Sequence, residues 1–277
     1  VHLMLRRLIL ALAYSYCLGL AGWFVVWITI GDANAWLWTL NALSVYLFIP
    51  LPLVAVVAVL MRRPELATAF AGGAVLWLYL WGPLFLPSFG GGGADGPALR
   101  VMTFNLLGFN MHTDMVVEAI RPDDAWVSPP RFLSLELDSQ PVTLVYIHAA
   151  ATPQAFAERR RQAEALADYA REHEGPLIIA GDLNAASTND AYKTLSKALT
   201  DAWRAVGSGF GNTFPGASKT HTPGSSRGDF LGISVPRWLV RIDYVFHSEH
   251  LRATAARTGD FGGSDHRPVI VDLVLDD

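Results

Sequence analysis

The sequence predicts an α+β domain with its chemistry at strand ends, carried behind three transmembrane α-helices. Three observations lead there. The first hundred residues contain three long apolar runs without a charge. Beyond them, strand-like and helix-like segments alternate, the order expected of layered α+β architecture. Two polar strings, Gly181-Asp182-Leu183-Asn184 and Ser264-Asp265-His266-Arg267-Pro268, stand beside apolar strand-like segments.

The 277 residues are 52% hydrophobic, and the mean hydropathy is positive. That average hides two unlike parts. Residues 1–100 hold five basic and three acidic residues; residues 101–277 hold 16 basic and 22 acidic ones, a net charge of −6. An acidic domain lacks the basic stripe that grips long nucleic acid through many phosphates. The single cysteine, Cys17, excludes a disulfide framework or a zinc cluster within one chain.

No charge occurs in residues 8–31, 35–61 or 66–94. Each run exceeds the ~20 residues a helix needs to cross a bilayer. The first is too long for a removable signal peptide and lacks a small-residue cleavage site. Three spans follow, at about 8–30, 37–61 and 66–86, with Pro50 and Pro52 kinking the second and Pro83 and Pro87 fraying the third. Trp23, Trp27, Trp36 and Trp38 cluster where an aromatic belt would sit. Arg6 and Arg7 precede the first span, and Arg62 and Arg63 separate the second from the third. The positive-inside bias therefore puts the N-terminus in the cytoplasm and the C-terminal domain on the extracytoplasmic side of the cell membrane. No ionisable residue lies inside the spans, so they read as an anchor, not an ion path. The expected organisation is an anchor over 1–87, a flexible Gly-rich linker over 88–98 and a domain over 99–277.

In that domain, residues 99–105 read as a strand and 113–120 as a short helix opened by Thr113 and Asp114. Residues 132–137 and 142–148 read as a hairpin turning at Asp138-Ser139-Gln140. Residues 153–173 form a helix with Phe156, Ala163, Leu166 and Ala170 along one stripe, ended by Gly175. A buried strand follows at 177–180, a helix at 189–199, and strands at 239–246, 251–256 and 269–275.

Asp182 and Asn184 leave the end of the buried strand two residues apart, a spacing that puts extended side chains on one side. Gly-Asp-x-Asn is equally good turn chemistry. Asp265 suits a hard cation and His266 suits proton transfer at neutral pH, although taken alone the pair reads more plainly as a surface loop with an incidental histidine. Asp243 lies in the apolar string Val240-Arg241-Ile242-Asp243-Tyr244 and needs a partner, which an imidazole such as His266 would supply. His148 and Asn105 each end a strand, where a core histidine and a strand terminator are the plain alternatives. Together these groups suit holding a divalent cation against a phosphate ester and delivering a water to it.

In their order along the chain, Thr103-Phe104-Asn105, Ile147-His148, Gly181-Asp182-Leu183-Asn184-Ala185, Arg241-Ile242-Asp243-Tyr244 and Ser264-Asp265-His266-Arg267-Pro268 resemble the endonuclease/exonuclease/phosphatase superfamily, in particular its bacterial membrane-anchored type. The resemblance covers about 99–275. It implies a two-layer β-sandwich flanked by helices, of the deoxyribonuclease I kind, with the site at the sheet edges. It also implies Mg²⁺ or Mn²⁺ beside Asn105 and Asp265, and His148 donating at the phosphate. Asp182 would act on the water, Asn184 would hold a phosphate oxygen, and His266, oriented by Asp243, would stabilise the transition-state charge.

The family's metal-binding glutamate, carried in a Leu-Gln-Glu string, has no counterpart. Residues 125–127 begin the next strand, Ser128-Pro129-Pro130 cut to the hairpin, and roughly sixty residues are missing against a usual domain size. Glu118 reads as helix surface and Glu136 as a solvated strand face. Two functions are therefore expected as alternatives. One is a membrane-anchored, metal-dependent phosphoesterase, either intact or weakened by loss of that segment. The other is a catalytically silent membrane-tethered binding domain. A serine hydrolase using a Ser-His-Asp set is a poor third reading, because no Gly-x-Ser-x-Gly string stands on a strand-to-helix turn as a nucleophile elbow does. The expected partners are the lipid bilayer and a phosphate ester: a phospholipid head group, nucleic acid or a small phosphoester. Residues 215–238, with His221, Arg227 and Arg237, form a long loop that could reach substrate. No protein partner is predicted.

Overall fold

The structure, a computed structural model, describes residues 2–86, 96–105, 128–215, 229–230, 233–234, 237–259 and 264–276. The expected helix over 113–120, the strand start at 125–127, Glu118, His221 and Arg227 lie outside them.

Helix α1 spans His2–Thr29. The second span is not one kinked helix. It is split into α2 (Ala35–Ala42), a 3-10 stretch (Ser44–Phe48) and α3 (Leu51–Met61). Asn34 caps α2 by accepting from the Leu37 N–H at 2.9 Å. Pro50, which has no N–H to donate, stands as the cap of α3. Arg62 ends α3 in a left-handed conformation (φ 53°), and Pro64 starts α4 (Pro64–Trp81), which tightens into a 3-10 turn at Gly82–Phe85. Three stretches, Leu3–Thr29, Ser44–Met61 and Pro64–Phe85, are long and apolar enough to cross a membrane.

In chain order the rest comprises β1 (Ala98–Thr103), β2 (Ser128–Leu137), β3 (Gln140–His148), α5 (Phe156–Glu172), β4 (Leu177–Asp182), α6 (Asp190–Leu195), β5 (Thr200–Asp201), α7 (Ala202–Val206), β6 (Asp229–Phe230), β7 (Ile233–Ser234), β8 (Asp243–His247), β9 (Leu251–Thr258) and β10 (Val269–Leu275). Strands β2 and β3 turn through Asp138 and Ser139, both at positive φ, as a tight hairpin on right-twisted strands requires. The β3–α5–β4 crossover makes the one parallel pairing among the named strands. Strand β8 starts four residues later than the alternation predicts. Val240 instead bridges Phe214, just past Trp238 at φ 61°, and the ladder resumes at Asp243.

Two sheets stack. One has the order β1-β10-β9, the other β2-β3-β4-β8-β5. Between them lie Val101, Val271 and Leu273 from the first and Val142, Ile178, Ala180 and Val245 from the second. The far face of the larger sheet, with Val145, Ile147, Ile179 and Phe246, is covered by Ala163, Leu166 and Ala167 of α5 and by Ala191 and Leu195 of α6. Strand β4 is thus buried on both faces, which explains its unbroken apolar start. The stripe of α5 is shifted from the expected one: Arg159, Gln162, Ala163, Leu166 and Ala167 are buried, while Phe156 and Ala170 are half-buried.

A buried ion pair stitches the end of the larger sheet. Arg241 donates to both carboxylate oxygens of Asp201, at 2.9 and 2.6 Å. Tyr192 Oη and the Trp203 N–H donate to the same carboxylate. Burial opposes the charge on Asp201, but Arg241 and these donors hold its carboxyl below the usual carboxylate range.

The domain does not hang free on the 88–98 segment, most of which lies outside the described residues. Trp27 Nε1 donates to Thr188 O at 2.7 Å, Tyr46 Oη to Leu239 O at 2.7 Å, and the Gly209 N–H to Leu84 O at 2.7 Å. The Phe85 and Phe210 rings meet edge-on at 5.1 Å.

Replacing Asp201 with Ala strands the Arg241 charge in the core. It should cost about 3–5 kcal/mol, seen as a large drop in the fluorescence-detected melting temperature of the detergent-solubilised chain. Ser139→Gly relieves a positive φ and should instead raise that temperature slightly.

Candidate active site

Register builds the centre of the site. His148 is the cross-strand partner of Asp182 on β4, and Asp182 is the partner of Asp243 on β8. Directly paired residues project on the same side of a sheet. Three neighbouring strands therefore present an imidazole and two carboxylates in one row. His148 Nε2 lies 3.6 Å from Asp182 Oδ2.

The second sheet faces that row with the residues flanking its strands. Asn105 follows β1, and Asp265 and His266 precede β10, the antiparallel neighbour of β1. Asn105 Nδ2 donates to Asp182 Oδ2 at 2.9 Å and lies 3.5 Å from His266 Nε2. His266 Nδ1 pairs with Asp243 Oδ2 at 2.8 Å, which leaves Nε2 facing Asp182 at 3.8 Å and Asp265 Oδ1 at 3.9 Å. Ser264 ties the two segments by donating to Asn105 O at 2.5 Å while its Oγ accepts the His266 N–H at 3.0 Å. The Phe214 ring packs 4.9 Å from the His266 ring. Thr213 Oγ1 accepts from the Ile242 and Asp243 N–H groups, and Thr213 O accepts from the Arg267 N–H.

The structure thus brings together Asn105, His148, Asp182, Asp243, Asp265 and His266. Asn184 belongs to the same loop but does not lie alongside Asp182. The strand ends at Asp182, and Asn184 adopts φ 50°, so the same-side spacing of an extended chain does not apply. The turn alternative holds there. Its N–H donates to Asp182 Oδ1 at 2.8 Å and its Nδ2 to Ala149 O at 2.9 Å. Gly181 is required in this strand because a Cβ would fall 1.9 Å from Ile147 O. Glu136 is exposed, pairs with Pro141, and sits at the end of the hairpin away from His148. It is no substitute ligand. Arg237 is exposed.

Sequence reasoning missed Thr213 and the bracing role of Ser264. Ser264 stood inside a recognised string, whereas Thr213 carries no local signal because its contacts are 29 and 30 residues away.

Asp182, Asp243 and Asp265 are 2%, 0% and 4% exposed, a concentration of carboxylate faced by one paired imidazole. Burial first, and then the charge of Asp243, push the Asp182 carboxyl up to about 7. Burial opposes the charge on His266, but Asp243, Asp182 and Asp265 raise its affinity for a proton on balance. Burial and then His266 lower that of His148. Asp243 Oδ1 is buried without a hydrogen-bond partner. Asp182, Asp243 and His266 place donor atoms within 4.8 Å of one another, so they could hold a metal ion. Asn105 and Asp265, expected beside the cation, lie against this trio: Asn105 Nδ2 donates to Asp182 Oδ2 at 2.9 Å, and Asp265 Oδ1 is 3.9 Å from His266 Nε2. Excess buried negative charge and an orphaned carboxylate oxygen both fit a hard divalent cation.

Among solved structures, similar folds include an endonuclease/exonuclease/phosphatase from Bacteroides vulgatus (20% identity over 52% of this chain and 54% of that one, TM-score 0.39). The human Nocturnin catalytic domain with bound sulfate is another (20%, 52% and 51%, TM-score 0.37). A third is a mannosyl-6-phosphatase from Bacteroides thetaiotaomicron (18%, 50% and 53%, TM-score 0.32). The chain spans about half the length of these structures. No curated protein matches it. The family model described as "Endonuclease/Exonuclease/phosphatase family" matches residues 57–266, beginning inside α3. With most of its length matched in this way, the chain belongs to the endonuclease/exonuclease/phosphatase family.

Proposed function

We propose that the chain is a membrane-anchored phosphoric ester hydrolase that works with Mg²⁺ or Mn²⁺. The observation that carries this reading is the row of His148, Asp182 and Asp243 across three strands, closed by Asn105 and His266 from the other sheet. The residues that would hold the cation are Asp182, Asp243, Asp265 and the amide of Asn105. Bound there, it would supply Lewis-acid stabilisation of the phosphoryl oxygens.

The chain's own groups divide the remaining work. Asp182, positioned by the Asn105 amide and the Asn184 N–H, takes the proton of the attacking water. Asp243 holds His266 through Nδ1, so that Nε2 faces the reacting phosphate and stabilises the charge that grows there. His148 donates to a non-bridging oxygen from the other side of Asp182. Asn184 keeps one of its two amide hydrogens for a phosphate oxygen while the other braces Ala149. An acidic domain docked beside the bilayer favours a phospholipid head group or a small phosphoester over long nucleic acid.

The alternative is a catalytically silent binding domain. It is favoured by one observation: the acid and imidazole trio contains no glutamate among the described residues.

With bis-p-nitrophenyl phosphate and millimolar Mn²⁺, the purified chain should turn over. Asp182→Ala or His266→Ala should lower kcat by about 10²–10⁴-fold. Chelation with EDTA should abolish turnover and added Mn²⁺ should restore it. If the electron paramagnetic resonance of millimolar Mn²⁺ is unchanged by the protein, the hydrolase reading fails and the silent domain stands. For orientation, the exposed position Lys197, changed to Cys in a Cys17→Ser background, should react with a membrane-impermeant maleimide in intact cells. Labelling only after lysis would place the domain in the cytoplasm.

A further inference from the structure

We propose that the loop between the first two apolar helices, together with α2, is a positioning element of the active site, so that the membrane anchor sets the geometry of the loops that directly follow His148 and Asp182. This inference rests on the hydrolase reading for its kinetic consequences and on the structure alone for the coupling.

The first arm runs through Asp32, which is 5% exposed although it precedes a span entry. Asp32 and Asp190 cap each other: the Asp190 N–H donates to Asp32 Oδ2 at 2.7 Å, and the Asp32 N–H donates to Asp190 Oδ2 at 2.7 Å. Asp32 Oδ1 accepts from Asn41 Nδ2 at 2.8 Å and from Asn189 Nδ2 at 3.1 Å. Asn189 in turn accepts the Ala186 N–H at 2.9 Å, and Thr188 Oγ1 donates to Asn41 O at 2.5 Å. Ala186 stands two residues after Asn184 and four after Asp182. The chain of bonds therefore passes from the anchor to the catalytic loop without a gap. Gly31 is shaped for this contact. It has φ +63°, and a Cβ there would fall 2.3 Å from the Asp190 carboxylate.

The second arm runs through Arg159, fully buried on α5. Its guanidinium stacks 4.4 Å from the Trp38 ring of α2. Nη1 donates to Ala150 O at 2.5 Å and to Thr152 O at 2.6 Å, while Gln162 Oε1 accepts the Ala150 N–H at 3.1 Å. These bonds hold the segment that directly follows His148 and whose Ala149 receives the Asn184 amide. Burial lowers the proton affinity of Arg159, and the charges of Asp32 and Asp182 oppose that shift. A buried guanidinium without a close carboxylate is costly, and the indole face supplies part of the compensation. Removing either arm leaves the six site residues intact but frees the loops that place them. A misplacement of about 1 Å costs on the order of 10²-fold in rate.

The test uses the whole chain in lipid nanodiscs, with amide-resolved hydrogen exchange and kinetics on the same samples. Asp32→Ala should speed exchange at the Asn184 and Ala186 amides as well as at Asp190. Trp38→Ala should speed it at Ala149 and Ala150, whereas Trp38→Phe, which keeps the ring face, should not. The β4 amides serve as the folding control and should stay protected in every variant. With bis-p-nitrophenyl phosphate and Mn²⁺, Asp32→Ala and Trp38→Ala should lower kcat about ten- to a hundredfold with KM nearly unchanged, and Trp38→Phe should restore it. Faster exchange confined to Asn189 and Asp190 would overturn the coupling, as would wild-type kcat in both alanine variants. If the unaltered chain hydrolyses nothing, the hydrolase reading fails, and the exchange pattern still decides the coupling.

Discussion

Everything at the site depends on one register. Strands β3, β4 and β8 lie side by side with His148, Asp182 and Asp243 opposite one another. A slip of one residue in either pairing would turn a member of the row to the other face of the sheet. That slip is prevented by what the same strands bury. Ile178, Ala180 and Val245 face the second sheet, and Ile179 and Phe246 face α5 and α6. Both faces of β4 are committed to apolar contact, and the carboxylate falls at the last residue of the strand.

The molecule buries an unusual amount of charge and compensates it in two ways. Away from the site, compensation is complete: Asp201 receives two bonds from Arg241, one from Tyr192 and one from the Trp203 N–H. At the site it is deliberately partial. Asp243 has one oxygen on His266 and the other without a donor, and Asp182 is pushed toward protonation by burial and by Asp243. A satisfied network rigidifies, whereas a buried carboxylate oxygen without a donor is costly until a partner such as a cation pairs with it. The contrast between these two clusters, one strand apart, separates scaffold from site better than burial alone.

The apolar N-terminal helices and the two stacked sheets form a continuous structure. Trp27, Asp32, Trp38, Asn41 and Tyr46 from the apolar part all bond or stack on the two-sheet part. The apolar N-terminal part contributes to the same hydrogen-bonded layer that holds the loops after β3 and β4.

The three apolar spans, the hairpin at Asp138-Ser139, the strand over 269–275 and the strings around Asp182 and His266 could all be read along the chain. Each depends on run length, alternation or turn chemistry among near neighbours, which short stretches specify alone. Only the tertiary structure decided that the second span also breaks at Leu43, that Asn184 turns back on Ala149, and that Asp32 meets Asp190 across 158 residues. It also decided that Arg159 and Gln162, on what reads as a polar face of α5, are buried against the anchor and the His148 loop. Such contacts arise when distant segments compete for the same buried space. The winner depends on packing and on satisfying polar groups throughout the molecule, which no local pattern carries.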